Sequence, residues 1–196
     1  MQSADGWLRQ RSEMVTASDV AAIMALSPYE GPADVWRRKV LGEEKPRNER
    51  MLWGSRLQSA ILAGFAEDAH FRVREWPAYE VAAHEKHPWF GATPDAQYAE
   101  PVLASAWFPA EAKNVAEHNA REWKTAPPLI CQVQLAAQMA VLDAPRGILC
   151  ALIGGQRLVW HVVERDAAFE RVMLEKCASF WKHVMDKEPI PEGWTA

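Results

Sequence analysis

The sequence predicts an α+β fold in which a central mixed β-sheet is flanked by helices. Three observations support this prediction. The N-terminal third has apolar residues at helical spacing, residues 71–114 are typical of short strands, and a helix, a hairpin and a last helix follow. The chain has 196 residues and a hydrophobic content of 49%. This length and composition suit one globular domain that covers residues 1–196.

The N-terminal third is expected to be helical. Residues 7–11 indicate a short helix, and Ser18 suits the N-cap position of a second helix. Pro32 fits the first turn of a third helix, which Gly42 ends. A long amphipathic helix is predicted over residues 51–69, because large apolar side chains recur at every fourth position. These side chains are Trp53, Leu57, Ile61 and Phe65.

The rest of the chain alternates between strand and helix patterns. Strands are predicted over residues 71–76, 78–83, 89–92, 103–114, 148–153 and 158–163. Gly154 and Gly155 join the last two of these strands into a hairpin. Helices are predicted over residues 129–142 and after Asp166, which suits an N-cap position.

Composition limits the class of protein. Three scattered cysteines, Cys131, Cys150 and Cys177, lack the spacing of a zinc site and are expected to be reduced core thiols. No apolar run approaches the ~20 residues of a membrane span, and the N-terminus lacks the regions of a signal peptide. These features predict a soluble, cytoplasmic protein with no membrane partner. The net charge of -4 neither requires nor excludes a nucleic-acid partner.

A candidate metal site involves two carboxylates and a lysine. If residues 107–114 are extended, Glu111 and Lys113 point to one face of a sheet and Ala112 points to the other. Asp95 follows a turn and could reach the same place as a second carboxylate. Two such ligands suit Mg²⁺ or Mn²⁺, and Lys113 would steady a water nucleophile or a phosphate. Alternatively, Glu111 and Lys113 belong to a solvated strand edge, because a Glu-x-Lys tripeptide also arises by chance.

Other polar residues have both a functional and a structural interpretation. The helix start at Ser18 would offer free N–H groups to a phosphate, and Arg11 would supply a charged fork. Alternatively, Ser18 only caps the helix and Arg11 is solvated. Gln132, in the helix predicted over residues 129–142, would orient a water or a phosphate, although helical glutamines are often merely solvated. The basic residues 37–39 are interpreted as a solvated helix face.

In chain order, a set of short motifs resembles the YqaJ-type viral recombinase family over nearly the whole chain. The motifs are Trp7 with Arg11, Thr16-Ala17-Ser18-Asp19-Val20, Trp53-Gly54, Thr93-Pro94-Asp95, Glu111-Ala112-Lys113, Gln132-Val133-Gln134 and Val163-Glu164-Arg165-Asp166. Each motif is weak alone, but their joint order is specific. The family includes the phage lambda exonuclease and belongs to the PD-(D/E)xK nuclease superfold. The resemblance therefore implies a restriction-endonuclease-like fold and a single nuclease domain.

The resemblance also implies roles for individual residues. The implied active-site residues are Asp95 and Glu111 as ligands of one or two Mg²⁺ or Mn²⁺ ions, Ala112 as a main-chain carbonyl ligand, Lys113 as the catalytic lysine and Gln132 as the residue that positions water. Arg11 and Ser18 would bind a terminal 5′-phosphate, and Gln134 would contact the substrate. One departure concerns Gln58, which stands where the family usually has a glutamate and implies weaker binding of a second metal ion.

The activity implied by the resemblance is Mg²⁺-dependent degradation of one strand of linear double-stranded DNA, from 5′ to 3′, in phage-type recombination inside a bacterial cell. The implied partners are DNA ends and a single-strand annealing protein, and some family members form a ring-shaped trimer. The alternative is a DNA-end-binding or partner-binding protein that has a nuclease scaffold with weak or no catalysis. The set of Asp95, Glu111 and Lys113 favours the enzyme, because a binding protein would have little use for that lysine.

Overall fold

A computed structural model describes residues 3–44, 46, 48–103 and 105–195. Its helices are α1 (Ala4–Ser12), α2 (Val20–Ile23), α3 (Pro32–Leu41), α4 (Glu49–Ala69), α5 (Leu129–Val141) and α6 (Ala167–Asp186). Its strands are β1 (Val15–Thr16), β2 (Arg72–Glu75), β3 (Ala82–Ala83), β4 (Phe90–Ala92), β5 (Ala96–Ala99), β6 (Phe108–Val115), β7 (Arg146–Ile153) and β8 (Arg157–Glu164). Pro101–Leu103 and Glu117–Trp123 form 3-10 helices.

The strands form two sheets. The larger sheet has five strands in the order β2-β5-β6-β7-β8, and the smaller has three in the order β1-β4-β3. In the larger sheet β6 and β7 are parallel while the other neighbours are antiparallel, so the sheet is mixed as predicted. The prediction of one central sheet was incomplete, because β4 pairs with β1 and β3 instead. β4 ends at Ala92, two residues before Pro94, which has no N–H to donate to a strand.

Residues 96–108 differ most from the sequence prediction. The strand predicted from residue 103 begins at Phe108, and Pro101–Leu103 is a 3-10 turn. The strand β5 was not predicted at all. Two of its four residues are alanine, which has little strand preference, but β5 pairs with β2 on one side and β6 on the other. Tertiary pairing therefore decides the conformation of this segment.

Local signals mark the helix ends. α3 begins at Pro32 and ends before Gly42, whose φ of 70° is left-handed and favours glycine. Asp166 caps α6 by accepting hydrogen bonds from the next turn. α4 begins at Glu49, earlier than predicted, because the Asn48 side chain accepts a hydrogen bond from the Met51 N–H.

The larger sheet lies between α4 and α5, which both pack against β6 and β7. Ala110 of β6 joins the apolar cluster that includes Ile61 and Phe65 of α4. Trp53, at the other end of the predicted apolar stripe of α4, is 50% exposed. Since alternate side chains of a strand face opposite sides, the face of β6 that carries residue 111 is turned towards α5.

The cysteines and helices bear on the compositional predictions. Cys131, Cys150 and Cys177 are free thiols, and the last two are buried. Burial raises the pKa of Cys150 to about 12. None of the helices in the described part of the chain combines the length and apolar content that crossing a membrane requires.

Candidate active site

Two polar side chains of β6 form the base of the site. Glu111 and Lys113 project from the same face of this central strand, and Lys113 Nζ lies 2.7 Å from Glu111 Oε1. Their side chains are 5% and 26% exposed, respectively. The alternative of a solvated strand edge therefore does not describe this pair, because β6 has neighbours on both sides.

Asp95 brings a second carboxylate to this pair. It immediately precedes β5, and its Oδ2 accepts a hydrogen bond of 2.8 Å from the backbone N–H of Ala112. Burial and the nearby charge of Glu111 raise the pKa of Asp95 to about 8, against the opposing effects of Lys113 and the Ala112 N–H. A carboxyl group with a raised pKa beside another carboxylate is an arrangement that a bound cation would stabilise.

Gln134 of α5 completes the contacts of the lysine. Its side-chain oxygen accepts a hydrogen bond from Lys113 Nζ at 2.9 Å, and its Nε2 donates to Glu111 Oε1 at 2.5 Å. Burial opposes the charge of Lys113, but the Glu111 and Asp95 carboxylates outweigh it and raise the pKa of the lysine. Lys113 is therefore a fixed ammonium group.

Gln132, predicted to position water, does not line the cleft that contains Asp95 and Glu111. Its Nε2 donates to the backbone oxygen of Pro127 at 2.6 Å. Gln134 and Gln138 contact Glu111 instead, and Gln138 was not among the predicted site residues. Two residues rotate a helix by about 200°, whereas four bring a side chain back to within about 40°. The spacing of Gln134 and Gln138 was a signal that these two side chains share one face of α5, apart from Gln132.

On another wall of the site, Arg11 and Ser18 lie together as the motifs suggested. Arg11 Nη2 donates to Ser18 Oγ at 2.9 Å, and Nη1 lies 3.5 Å from Thr93 Oγ1. The guanidinium also stacks on Trp7, 4.7 Å from the ring centroid. Burial lowers the pKa of Arg11, while Asp19 and Glu111 oppose this effect. Hydroxyl groups and a guanidinium therefore converge on one part of the cleft.

Ser18 is not the helix cap that the sequence suggested. Asp19 occupies the N-cap position of α2, and α2 has four residues. The Asp19 carboxylate accepts hydrogen bonds from the Thr16 N–H and hydroxyl, which closes a tight turn. The Ser18 hydroxyl points instead to Thr16 and Arg11. A phosphate here would be bound by side chains and not by a helix start.

The basic residues of α3 also differ from the prediction. Lys39 Nζ pairs with Asp19 Oδ2 at 2.8 Å, and both side chains are 7% exposed. Arg38 bridges Asp19 and Glu30. Burial raises the pKa of Asp19, but the charge and hydrogen bond of Lys39, with the Thr16 bonds, outweigh it and lower the value to about 2. Of the three basic residues that were predicted to form a solvated helix face, only Arg37 has a substantially exposed side chain.

A cleft of about 400 Å³ joins the Asp95 and Glu111 carboxylates to the Arg11 and Ser18 side chains. Its polar lining includes Arg11, Ser18, Gln58, Thr93, Asp95, Glu111 and Gln134. Gln58 Nε2 lies 3.5 Å from the backbone oxygen of Asp95, so the departure from the family pattern faces the site. Within the described residues, no group of three or more His, Cys, Asp and Glu side chains could hold a metal ion. A metal here would rely on two carboxylates with main-chain, amide or water oxygens.

The sequence profile of the YqaJ-like viral recombinase domain matches residues 6–145, well over half of the chain. The chain belongs to this family. The family predicted from the motifs is thus confirmed. The Bacillus subtilis (strain 168) protein YqaJ, described as uncharacterized, is 24% identical over 201 residues. The match covers 99% of this chain but 61% of YqaJ, so this chain spans about three fifths of its relative.

Solved structures share the fold of this YqaJ-family chain. An alkaline exonuclease from Laribacter hongkongensis, LHK-Exo, has a TM-score of 0.75 at 20% identity, with 94% of each chain covered. LHK-Exo in complex with dAMP has a TM-score of 0.72 at 18% identity, covering 95% of this chain and 94% of the other. A phage-related exonuclease from Haemophilus somnus 129PT scores 0.67 at 10% identity, covering 89% and 94%. The predicted PD-(D/E)xK type of fold is thereby confirmed.

Proposed function

We propose that this YqaJ-family protein is a divalent-metal-dependent exonuclease that degrades one strand of linear double-stranded DNA from its 5′ end during phage-type recombination. The observation that carries the proposal is the composition of one cleft. It has the Asp95 and Glu111 carboxylates on one wall and the Arg11 guanidinium with Ser18 on another, and Lys113 donates a hydrogen bond to Glu111 from beside the cleft. Membership of a viral recombinase family and a fold shared with exonucleases support it.

The carboxylates fit a hard divalent cation. Mg²⁺ in proteins is commonly held by one or two carboxylates, with waters and substrate oxygens as the other ligands. Burial and the neighbouring Glu111 carboxylate raise the pKa of Asp95, and a cation bound between the two carboxylates would offset both effects. Asp95 and Glu111 would hold one Mg²⁺ or Mn²⁺ ion, with the carbonyl of Ala112 as a main-chain ligand. When bound, the ion would lower the pKa of a water and neutralise charge on the scissile phosphate.

The protein groups supply orientation and charge around the reacting phosphate. Lys113 Nζ donates hydrogen bonds to two acceptors, Glu111 and Gln134, so its position is fixed before substrate arrives. Its charge would stabilise the anionic phosphate oxygens of the transition state or align the attacking water. Gln134 contacts both Glu111 and Lys113. It would hold these two side chains at a constant distance from each other while product leaves and new substrate binds.

The Arg11 cluster would set the polarity of digestion. A guanidinium is suited to bind phosphate with paired hydrogen bonds, and Ser18 has a hydroxyl group beside it, while Thr93 Oγ1 accepts from Arg11 and helps to orient the guanidinium. A terminal 5′-phosphate bound there would place the next phosphodiester bond towards Asp95 and Glu111. A single-strand annealing protein as recipient of the exposed strand, and a trimer around the DNA, belong to the same proposal.

The test is digestion of end-labelled linear duplex DNA with Mg²⁺, Mn²⁺, Ca²⁺ or EDTA. We expect cleavage with Mg²⁺ or Mn²⁺ and none with EDTA. Lys113→Ala should slow cleavage by about 100-fold while DNA binding is retained, because a transition-state contact is lost. Lys182→Ala, at an exposed position of α6, is the matched control. Linear duplex left intact with both Mg²⁺ and Mn²⁺ at mildly alkaline pH would rule the enzyme out.

One observation favours a second candidate, a DNA-end-binding protein with weak or no catalysis. Gln58 faces Asp95 where a glutamate is usual for the family, and an amide is a weaker metal ligand than a carboxylate. This protein would bind duplex ends through Arg11 and Ser18 without cutting them. Retained end binding by the unmodified protein, combined with no cleavage in either metal, would establish this candidate.

A further inference from the structure

Gln138 is a buried amide in contact with Glu111. It lies on α5 one turn after Gln134, is 0% exposed, and donates from Nε2 to Glu111 Oε2 at 2.6 Å. Its own side-chain oxygen is buried and has no hydrogen-bond partner among the described residues. Gln138 does not line the cleft, so it can reach the chemistry only through Glu111.

The stability of the fold does not explain this glutamine. A buried amide with one unsatisfied side costs free energy that an apolar side chain of similar size would not. Gln138 is fully buried, and methionine has a side chain of similar length without an unsatisfied polar atom, so it would suit the position by size. The hydrogen bond to Glu111 is therefore the feature that distinguishes Gln138 from a core residue.

The hydrogen bonds of Glu111 show which of its oxygens remains available. A carboxylate has about four lone-pair positions, two on each oxygen. Oε1 accepts from Lys113 and from Gln134, which uses both of its positions. Oε2 accepts only from Gln138 among the bonds of the described residues. One position on Oε2 is left, and that oxygen is the one that Gln138 holds.

We propose that Gln138 is a positioning residue that fixes Glu111 Oε2 as the oxygen that binds the divalent cation. The inference rests on the proposed function, because it concerns the metal of that site. Partners that orient a ligating group keep it in one geometry, and their removal commonly weakens metal binding by about 10- to 100-fold. Without Gln138, the carboxylate of Glu111 rotates about its terminal bond and offers Oε2 to the cation for only part of the time.

The test is Mn²⁺ binding measured by calorimetry in the absence of DNA, for the unmodified protein and for Gln138→Met. We expect the variant to bind Mn²⁺ about 10-fold more weakly. Its thermal unfolding temperature in EDTA should be equal or higher, and its affinity for duplex ends should be unchanged. Leu135→Met, at a fully buried position of the same helix, should bind Mn²⁺ normally.

Equal Mn²⁺ affinity for Gln138→Met and the unmodified protein overturns the proposal, as does equal weakening by Leu135→Met. If Gln138→Met does not fold, Gln138→Asn carries the test, because it retains the amide but is shorter by one methylene. It should weaken Mn²⁺ binding, and unchanged affinity again overturns the proposal. Absence of Mn²⁺ binding by the unmodified protein overturns it too. Strong Mn²⁺ binding without DNA cleavage refutes the nuclease function alone, so the two failures are distinguishable.

Discussion

Asp19 and Asp95 are aspartates of neighbouring regions whose pKa values move in opposite directions. Asp19 is buried against Lys39, and despite its burial the pKa falls to about 2. Asp95 is half-buried near Glu111, and its pKa rises to about 8. Burial raises both values, so the difference comes from the charge of the nearest neighbour. In one region that neighbour is an ammonium group, and in the other it is a second carboxylate.

The buried polar side chains also fall into two groups, one around Asp19 and one near Asp95. Among the described residues, the polar or charged side chains classed as buried are Thr16, Asp19, Glu111 and Gln138. The first two belong to a network whose acids, Asp19 and Glu30, are balanced by Arg38 and Lys39. The other two belong to a group with two carboxylates and one ammonium. A balanced network stabilises the fold, whereas the repulsion between two neighbouring carboxylates is relieved by a proton, as the raised pKa of Asp95 indicates, or by a bound cation.

The largest expected effect comes from removing the unbalanced charge. Asp95→Asn should lower DNA cleavage by at least about 100-fold, because a proposed metal ligand is lost. The free energy of unfolding in EDTA should stay the same or increase, since a carboxylate that repels Glu111 is gone. Cleavage assays and denaturant titrations measure the two quantities. A variant that is both inactive and strongly destabilised would place Asp95 with Asp19 as a structural group.

The same substitution in the balanced network should have the opposite result. Asp19→Asn leaves Lys39 buried without a counter-charge and should lower the free energy of unfolding by about 3 kcal/mol. The exposed Asp68→Asn is the control and should change little. Denaturant titration at neutral pH measures the loss. If Asp19→Asn is as stable as the control, the Asp19 network is not a structural element.

The pH dependence of stability sharpens this contrast in metal-free protein. The pKa of Asp19 is depressed, so its contribution is present above its ordinary value and is lost as pH falls towards about 2. The pKa of Asp95 is raised, so its contribution is present at low pH and is lost as pH rises towards about 8. Asp19→Asn should weaken the loss of unfolding free energy as pH falls towards about 2. Asp95→Asn should weaken the loss of unfolding free energy as pH rises from the ordinary pKa of an aspartate towards about 8. Identical curves for both variants would contradict the assigned shifts.

Arg11 lies between the two regions, and its removal should have an intermediate effect. Duplex ends with a 5′-phosphate should be degraded about 10-fold faster than 5′-hydroxyl ends, because hydrogen bonds to a charged group are lost with the phosphate. Arg11→Ala should erase this difference. Arg9→Ala, on the same helix with an 82% exposed side chain, should keep it. Equal rates on both ends in the unmodified protein would remove the phosphate-binding assignment.

The smallest effect is expected from adding a carboxylate to the unbalanced region. Gln58→Glu should lower several-fold the Mg²⁺ or Mn²⁺ concentration needed for half-maximal cleavage, or for half-maximal binding by calorimetry. Ser59→Glu adds the same charge at an exposed position of α4 and should leave this concentration unchanged. An unchanged metal dependence for Gln58→Glu would mean that this side chain is not a metal ligand.

Sequence patterns predicted the parts of the molecule that depend on local chemistry. Gly42 and Asp166 marked helix ends correctly, because caps act over a few residues. The shared face of Glu111 and Lys113 followed from strand geometry once an extended segment was assumed. Asp95 lies beside them in the fold, as its position after a turn suggested and as the family motif implied.

The errors concern residues whose neighbours are distant in sequence. Lys39 was predicted to be solvated because its partner Asp19 lies twenty residues earlier in the sequence, at the start of another helix. Gln132 was preferred over Gln138 because nothing local showed which face of α5 meets β6. Helical spacing shows that Gln132 and Gln138 lie on different faces of α5. Only the packing of α5 on the sheet shows which of these faces meets β6.

The pairing of β6 restricts changes in chain length at the active site. Six consecutive residues of β6, from Ala110 to Val115, are in register with Ile148–Ile153 of β7. Inserting or deleting one residue just before Glu111 would reverse the direction of every side chain that follows up to the next turn. The alanine would then face the cleft, and the carboxylate and ammonium would face the apolar cluster around Phe65. A substitution in β6 changes one side chain, but a shift of the strand by one residue turns its polar side chains towards the apolar cluster and its apolar side chains towards the cleft.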